Sequence, residues 1–325
     1  MKAGFAAVLG RPNVGKSTLL NALVGSKVSI VSPKPQTTRE AIQGILSRED
    51  GQIVFVDSPG IHAATRQELG RRMVREIERA ASGCHCVILV VDASQPIGLG
   101  DKAAIEKVKQ LGVPAILALN KVDKLKDKKI LLPKIEQYQA LYPFDEFVPI
   151  SALKGVQVDK IADLVLERLP ESPAYYPDDY ITDQPERFLA AELIRERIFI
   201  ETHEEVPHST TVLIDNWDES PRLLKLSATV YVERSGQKAI VIGKQGELMK
   251  RIATKARESL EERFGRKVFL EVFVKVKPKW RDAPGFMRTL DQHRYGIGAS
   301  EGESDEPAFI SGDEDLLPDE ENSLG

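Results

Sequence analysis

Cysteine is nearly missing from this chain: 325 residues contain two, Cys84 and Cys86. Two cysteines one residue apart cannot build a disulfide framework. With only His85 between them and no second ligand pair, they also make a poor zinc site. They read as plain helix-end or strand residues, and a reducing, cytoplasmic setting fits. No apolar run approaches the roughly 18 residues that span a bilayer. The short apolar run in "MKAGFAAVLGRP" leads at once into a glycine loop, so it reads as a strand and not a signal peptide. Lipidation signals are lacking as well, since position 2 is Lys and "ENSLG" holds no cysteine. A membrane-anchored signalling protein is therefore disfavoured. Loose peripheral contact with the inner face of the cell membrane through a basic surface stays compatible.

What is present suffices for two domains at this length. The net charge of −4 conceals an asymmetry. Residues 291–325 hold eleven acids against Arg294, a balance of −10, and the rest of the chain is +6. Residues 234–290 alone carry +9. A basic segment beside an acidic tail suggests a polyanion-binding face with a disordered appendage.

The first 170 residues alternate short apolar strands with helical patterns. "GFAAVLG" (4–10), "QIVFVDS" (52–58), "CVILVVDAS" (86–94), "VPAILALNK" (113–121) and "EFVPISA" (146–152) read as strands. Near-continuous apolar runs suit strands buried on both faces, which predicts an α/β fold with a mostly parallel sheet. Ligands of such sheets bind at the carboxyl ends of the strands. "PESPAYYPDDYITDQP" at 170–185, with four prolines, reads as a linker or a strap over the first domain. The order helix–strand–strand–helix–turn–helix–strand follows, a compact α+β unit over 186–290, before the tail at 291–325.

"GRPNVGKS" (10–17) fits Gly-x-x-x-x-Gly-Lys-Ser, after a strand and at the start of a helix. Loop N–H groups of Gly10, Asn13, Val14, Gly15 and Thr18 and the helix N-terminus suit phosphates. Lys16 would neutralise the β- and γ-phosphates, and Ser17 would ligate Mg²⁺. "DSPG" ends the next buried strand, where Asp57 would hold the Mg²⁺ shell through water and the Gly60 N–H could reach a γ-phosphate. "NKVD" ends a later one. Asp123 can accept the adjacent N1–H and 2-amino donors of guanine, a pair that adenine lacks. Asn120 would help hold the base and the loop, and the Lys121 stem would lie along the ring. Ser151 and Ala152 of "SAL" would offer backbone N–H groups to the guanine O6. Each motif is weak alone, but the ordered set at successive strand ends favours GTP over ATP.

This set resembles the P-loop GTPases over residues 1–170. The resemblance implies that a threonine of "PKPQTTRE" (33–40) closes on Mg²⁺ beside a γ-phosphate. Thr38 matches, with Thr37 as runner-up and an ordinary surface loop as the plain reading. Many such GTPases place a glutamine just after Asp-x-x-Gly to orient water. Here Ile61 stands there, and isoleucine can neither orient nor deprotonate water. His62 as a general base competes with a switch-loop role. The chain is similar here to the translation-related subgroup with a hydrophobic residue at this place, whose relatives use an asparagine of the loop to bind K⁺. Asn13 matches, so K⁺ activation is an expectation. Lys16, Thr38, Asp57 and Gly60 form the catalytic set, and slow intrinsic turnover is expected.

A second glycine turn lies in "IVIGKQGELMKRI" (240–252). As a nucleotide loop it fails, because Gln245 stands where Ser or Thr is needed and Lys238 where the first glycine would fall. A purely structural turn between helices remains one reading. The other is the Gly-x-x-Gly loop of a KH domain, which clamps a single-stranded nucleic-acid backbone. Ile242, Gly243, Lys244, Gln245 and Gly246, with Lys250, Arg251 and Lys255 on the following helix, are the candidate RNA contacts. Ile240, Ile242 and Leu248 line either a base groove or the core.

A GTPase domain with these motifs joined to a KH domain ending in "VKVKPKWR" resembles the Era family of bacterial GTPases over about residues 3–290. That resemblance implies a switch acting with GTP/GDP and Mg²⁺ on the 3′ region of 16S rRNA and on the 30S subunit precursor. It implies a monomer with no DNA partner. A related translation GTPase acting on another RNA, or an RNA-binding module with a vestigial nucleotide site, are the alternatives. The acidic tail departs from the family pattern, and limiting non-specific RNA contact is one role for it.

Overall fold

The computed structural model describes residues 1–32, 34, 36–61 and 67–295. His62 and the tail from 296 onward lie outside them. Strand β1 (Lys2–Leu9) is buried almost throughout and ends at the phosphate loop. Helix α1 (Lys16–Val24) starts from Gly15 at φ 102°, with no side chain capping its first N–H groups. Those N–H groups therefore stay available to an anion. Gly25, at φ 72°, stops the helix by donating to the Asn21 carbonyl at 2.9 Å.

The chain then makes β2 (Ile42–Arg48), β3 (Gly51–Asp57), α2 (Glu68–Ala81), β4 (Cys86–Asp92), α3 (Leu99–Leu111), β5 (Ala115–Asn120), α4 (Leu131–Gln139), β6 (Glu146–Pro149) and α5 (Val158–Arg168). The sheet order is β2-β3-β1-β4-β5-β6. Only β2 runs antiparallel to its neighbour. This strand was not anticipated from sequence. As an edge strand it needs no continuous apolar run, and Gln43, Gly44 and Ser47 interrupt its signal. Gly44 must stay small, because a Cβ there would meet Leu20 at 2.6 Å. Cys84 and Cys86 are buried free thiols at the start of β4, and burial pushes the Cys86 thiol up to about 12.

The proline-rich segment is a strap on the β2 side of the sheet. Ile45 N–H donates to the Ile181 carbonyl at 3.0 Å, and Thr182 Oγ1 to the Gln43 carbonyl at 2.6 Å. Gln52 Oε1 accepts from the N–H groups of Tyr175 and Tyr176 at 2.8 and 3.0 Å.

Helix α6 (Glu186–Glu201) opens the second unit, followed by β7 (Thr211–Glu219), β8 (Leu223–Val232), α7 (Ser235–Ile242), α8 (Glu247–Phe264) and β9 (Lys267–Val276). The sheet order is β7-β8-β9, with β8 and β9 parallel. Ile252, Ala256 and Leu260 of α8 are fully buried against it, at the helical spacing that the sequence shows. Each large aliphatic group so buried contributes about 2 kcal/mol. A further helix, α9 (Pro284–Tyr295), was not read from the sequence. The expected tail boundary at 291 is therefore too early. Met287, Leu290 and Arg294 sit on one helical face and are buried. Arg294 pairs with Glu40, and Asp291 with Arg72, tying α9 to the first unit.

Candidate functional site

The phosphate loop runs from Gly10 to Ser17 between β1 and α1. Gly15 has no room for a side chain, since a Cβ would lie 2.3 Å from Asn120 Nδ2. Asn13 adopts φ 62°. The Lys16 ammonium is buried and donates to the Arg11 carbonyl at 3.2 Å. Burial pulls it down to about 8, against the opposing charge of Asp57.

Three oxygens meet at the start of α1. Ser17 Oγ donates to Asp57 Oδ2 at 2.6 Å and lies 2.9 Å from Thr38 Oγ1. Ser29 Oγ, which sequence reading missed, also donates to Asp57 Oδ2 at 3.3 Å. Asp57 Oδ1 is buried with no hydrogen-bond partner among the described residues. Burial raises this carboxyl, opposed by Lys16 and the surrounding hydroxyls. An orphaned carboxylate oxygen beside two hydroxyls suits a hard divalent cation such as Mg²⁺, which takes oxygen ligands. The geometry therefore favours Thr38 over Thr37, whose hydroxyl donates to the Lys34 carbonyl at 2.7 Å. The cleft between the phosphate loop and residues 30–38 is about 50 Å³. Gly60 packs so closely on Pro12 that a Cβ would fall 2.7 Å from its nitrogen. Ile61 donates its N–H to the Gly10 carbonyl at 3.0 Å and packs its side chain against the core beneath.

The candidate base-recognition residues Asn120, Lys121, Ser151 and Ala152 lie together at or just past the ends of β5 and β6. Asn120 Nδ2 donates to the Val14 carbonyl at 2.8 Å, and its Oδ1 accepts from Lys121 N–H at 2.8 Å and Ala152 N–H at 3.0 Å. The Ala152 N–H expected to face guanine O6 is thus shared with Asn120. Lys121 stands at φ 67° and reaches Asp92 Oδ2 at 2.8 Å and the Asn13 carbonyl at 2.5 Å. Asp123 is exposed, with Oδ1 held by Ser151 Oγ at 2.5 Å. A carboxylate anchored in this way can face two adjacent donors of a base.

Outside this site a cavity of about 950 Å³ lies between β2, α2 and α9, lined by both arginines and carboxylates. It contains none of the phosphate-loop residues.

The second glycine turn links α7 to α8. Gly243 at φ 76° would drive a Cβ to 2.6 Å from Leu248. Gln245 and Gly246 are also left-handed, at φ 51° and 78°, and Gly246 faces open space. Lys244, Gln245 and Lys250 are exposed, and Ile242 is half-buried. Arg251 and Lys255 instead pair with Glu201 at the end of α6, at 2.7 and 3.0 Å. All three groups sit near the surface, where such pairs contribute little and exchange readily. Ile240 is exposed, while Leu248 packs on the core of the second unit.

A family model described as a KH domain matches residues 205–281, and one described as a 50S ribosome-binding GTPase matches residues 5–121. Era from Aquifex aeolicus, a Y63A variant solved with GDP and aluminium fluoride, is 40% identical with a TM-score of 0.86. The alignment covers 89% of this chain and 99% of that one. This chain belongs to the Era family of GTPases. An Era structure with MgGDPNP and nucleotides 1506–1542 of 16S ribosomal RNA is also 40% identical, with a TM-score of 0.86 over 89% and 98% of the two chains. As a member of the Era family the chain joins a P-loop GTPase domain to a KH domain. Membership also places Thr38 and Asp57, brought together here around Ser17, within a GTPase fold.

Further contacts that sequence reading missed lie between the two domains. Arg39, next to Thr38, is buried in the KH side of the molecule. It donates to the carbonyls of Thr210 at 2.8 Å, His208 at 3.0 Å and Pro207 at 3.3 Å. Burial and the neighbouring charge of Arg195 hold its guanidinium well below the ordinary arginine range. Arg195 on α6 donates to the Thr37 carbonyl, and Glu196 accepts from Val31 N–H at 2.9 Å. The sequence signal was the run "TTRE" itself, whose arginine has no acid at helical spacing to pair with.

Proposed function

We propose that this protein is a GTP-hydrolysing switch that binds the 3′ region of 16S rRNA and assists assembly of the 30S subunit. One observation carries the reading: a guanine-type nucleotide site and an open Gly-x-x-Gly turn stand on one chain, and the 40%-identical Era structure holds MgGDPNP and 16S rRNA together. The name of the matching GTPase family refers to the large subunit. The RNA in that relative comes from the small subunit, and the KH turn favours the latter.

In this reading the loop N–H groups and Lys16 bind the phosphates, and Asp123 with Asn120 selects guanine. Ser17, Thr38 and, through water, Asp57 would hold Mg²⁺, which supplies charge neutralisation between the β- and γ-phosphates. Ile61 points into the core and leaves no side chain at that position to hold the attacking water, so intrinsic turnover is slow. K⁺ held by Asn13 is the cation that would compensate. Equal hydrolysis rates in Na⁺ and K⁺ buffers would discard that cation. Lys244, Gln245 and the start of α8 grip the RNA backbone, with Lys250 beside them.

Crosslinking the protein to RNA in its GTP and GDP states, then sequencing the attached RNA, tests the whole. Enrichment of the 16S 3′ end in one nucleotide state is expected. Absence of small-subunit RNA from both states would overturn the reading.

A further inference from the structure

The loop that carries Thr38 is held from outside its own domain. On one side of Thr38, Arg195 donates to the Thr37 carbonyl. On the other, Arg39 is enclosed by three carbonyls of residues 207–210. Further along, Glu196 takes the Val31 N–H at 2.9 Å and the Lys27 ammonium at 2.5 Å. Lys34 reaches the carbonyls of Phe199 and Thr202. Both guanidinium groups lie over the Phe199 ring, at 5.9 Å for Arg39 and 5.0 Å for Arg195. Glu192 fixes Arg195 from within α6 through Nε at 2.7 Å. Arg195, Glu196 and Phe199 are buried, so these contacts are not casual surface pairs.

The same helix ends at Glu201, which holds Arg251 and Lys255 of α8. Helix α8 begins directly after Gly246. Arg197, between the two sets, donates to Ser259 Oγ of α8 at 2.6 Å. Six residues separate Arg195 from Glu201, about 9 Å of helix rise. A continuous helix of that length moves as one body.

We infer that Arg195 and Arg39 are positioning residues for GTP hydrolysis, and that α6 joins the threonine they place to the helix behind the RNA-binding turn. This rests on the reading of Thr38 and of the glycine turn given above. Thr38 closes on the γ-phosphate side, so its placement matters to GTP turnover and not to GDP binding. Its main-chain neighbours are fixed by side chains and carbonyls of the KH side. RNA that engages Lys250 and displaces Arg251 or Lys255 from Glu201 changes the load on α6. The change reaches the Thr37 carbonyl through Arg195 of the same helix. Conversely, when Thr38 moves onto the nucleotide, the Thr37 carbonyl draws on Arg195, and α8 receives the shift through Glu201 and Arg197.

The test uses the full chain. For Arg195→Ala, kcat should fall about tenfold or more, as a small misplacement of a catalytic group does. GDP affinity and GTP KM should stay within about twofold, because ground-state contacts are kept. Arg195→Lys should recover part of kcat, since an ammonium can still donate to the Thr37 carbonyl. An unchanged kcat in Arg195→Ala would overturn the positioning role, and so would a loss of GDP affinity that parallels kcat. If that variant does not fold, Arg39→Lys decides. It keeps the charge but gathers its donors on one nitrogen, losing the fork by which Nη1 and Nη2 span the carbonyls of residues 207–210, and a kcat equal to wild type would count against the inference.

For the α6 link, Glu201→Gln should leave basal turnover intact. It should shrink the factor by which a 16S 3′-end fragment changes kcat. Retention of the full RNA effect in Glu201→Gln would refute the link. Wild-type protein that hydrolyses GTP but never binds the fragment would defeat the RNA assignment itself, with the Arg195 result standing apart from it.

Discussion

Asn120 donates through Nδ2 to the Val14 carbonyl at 2.8 Å, stitching the end of β5 to the phosphate loop 106 residues earlier. Its Oδ1 takes two further N–H groups, from Lys121 and Ala152. One buried amide thus sets the distance between phosphate site and base site. Asn120→Ala removes three hydrogen bonds of about 1 kcal/mol each. A lower Tm and a loss of at least about tenfold in GTP affinity are expected, read by thermal melts and nucleotide titration. Asn120→Asp should be worse, since it replaces the donor facing the Val14 carbonyl with a second acceptor.

Lys16 gives nucleotide binding a pH dependence. Its folded-state pKa is about 8, below the ordinary 10.5, because burial disfavours the charge. Between those two values the unfolded chain binds more protons, so stability should rise with pH across that window. Nucleotide affinity should move the other way. Phosphates need the ammonium, and binding must restore the proton above pH 8, which weakens affinity by up to about tenfold per unit. Titrations and melts on either side of pH 8 check both signs. Affinity that is flat across that range would contradict the assignment.

In the proposed reading Asp123 would set the choice of base through acceptor geometry. Asp123→Asn replaces one carboxylate oxygen with an amide that opposes the guanine 2-amino group and matches the 2-oxo group of xanthine. GTP affinity should fall by about 10–100-fold, the cost of one unpaired polar contact. Xanthosine triphosphate should become the preferred nucleotide in direct competition.

The glycine turn should tolerate charge reversal in the fold but not in RNA binding. Lys244 and Gln245 are exposed. Replacing both with Asp puts two negative charges where the α8 N-terminus favours phosphate. RNA affinity should fall by about tenfold or more, and the salt slope should drop by about one. Tm and basal GTP turnover should hold. RNA affinity that survives the double change would move the RNA site elsewhere.

Residues 296–325 add ten carboxylates and no basic side chain. Deleting them should strengthen non-specific RNA binding most at low salt, where charge repulsion is least screened. Identical affinities with and without them across a salt series would remove the proposed role in limiting RNA contact.

The legible parts of this protein are those where chemistry dictates residue type at a fixed spacing. Gly10, Lys16, Ser17, Asp57, Asn120 and Asp123 belong to that group, because phosphate, metal and base each demand a particular donor or acceptor. The buried strands were legible because burial on both faces leaves few alternatives to Val, Ile, Leu and Ala. Strand β2 was not, since an edge position accepts Gln43 and Ser47 without penalty. The domain junction was hidden for another reason. Arg39 is held by backbone carbonyls, which every residue carries, so no sequence pattern marks its partners. Arg294 and Glu40 pair across 254 positions, and nothing around Arg294 in the sequence points to Glu40.

The proline-rich strap has a consequence for solubility. A sheet edge with free N–H and C=O groups invites pairing with another chain. At the β6 edge the strand is four residues long. At the β2 edge, seven residues long, Ile181 takes the Ile45 N–H and Thr182 takes the Gln43 carbonyl. The connection between the domains thus doubles as a guard against self-association of the GTPase sheet. A protease nick in the strap would show itself first as clumping of the protein, before the two domains drifted apart.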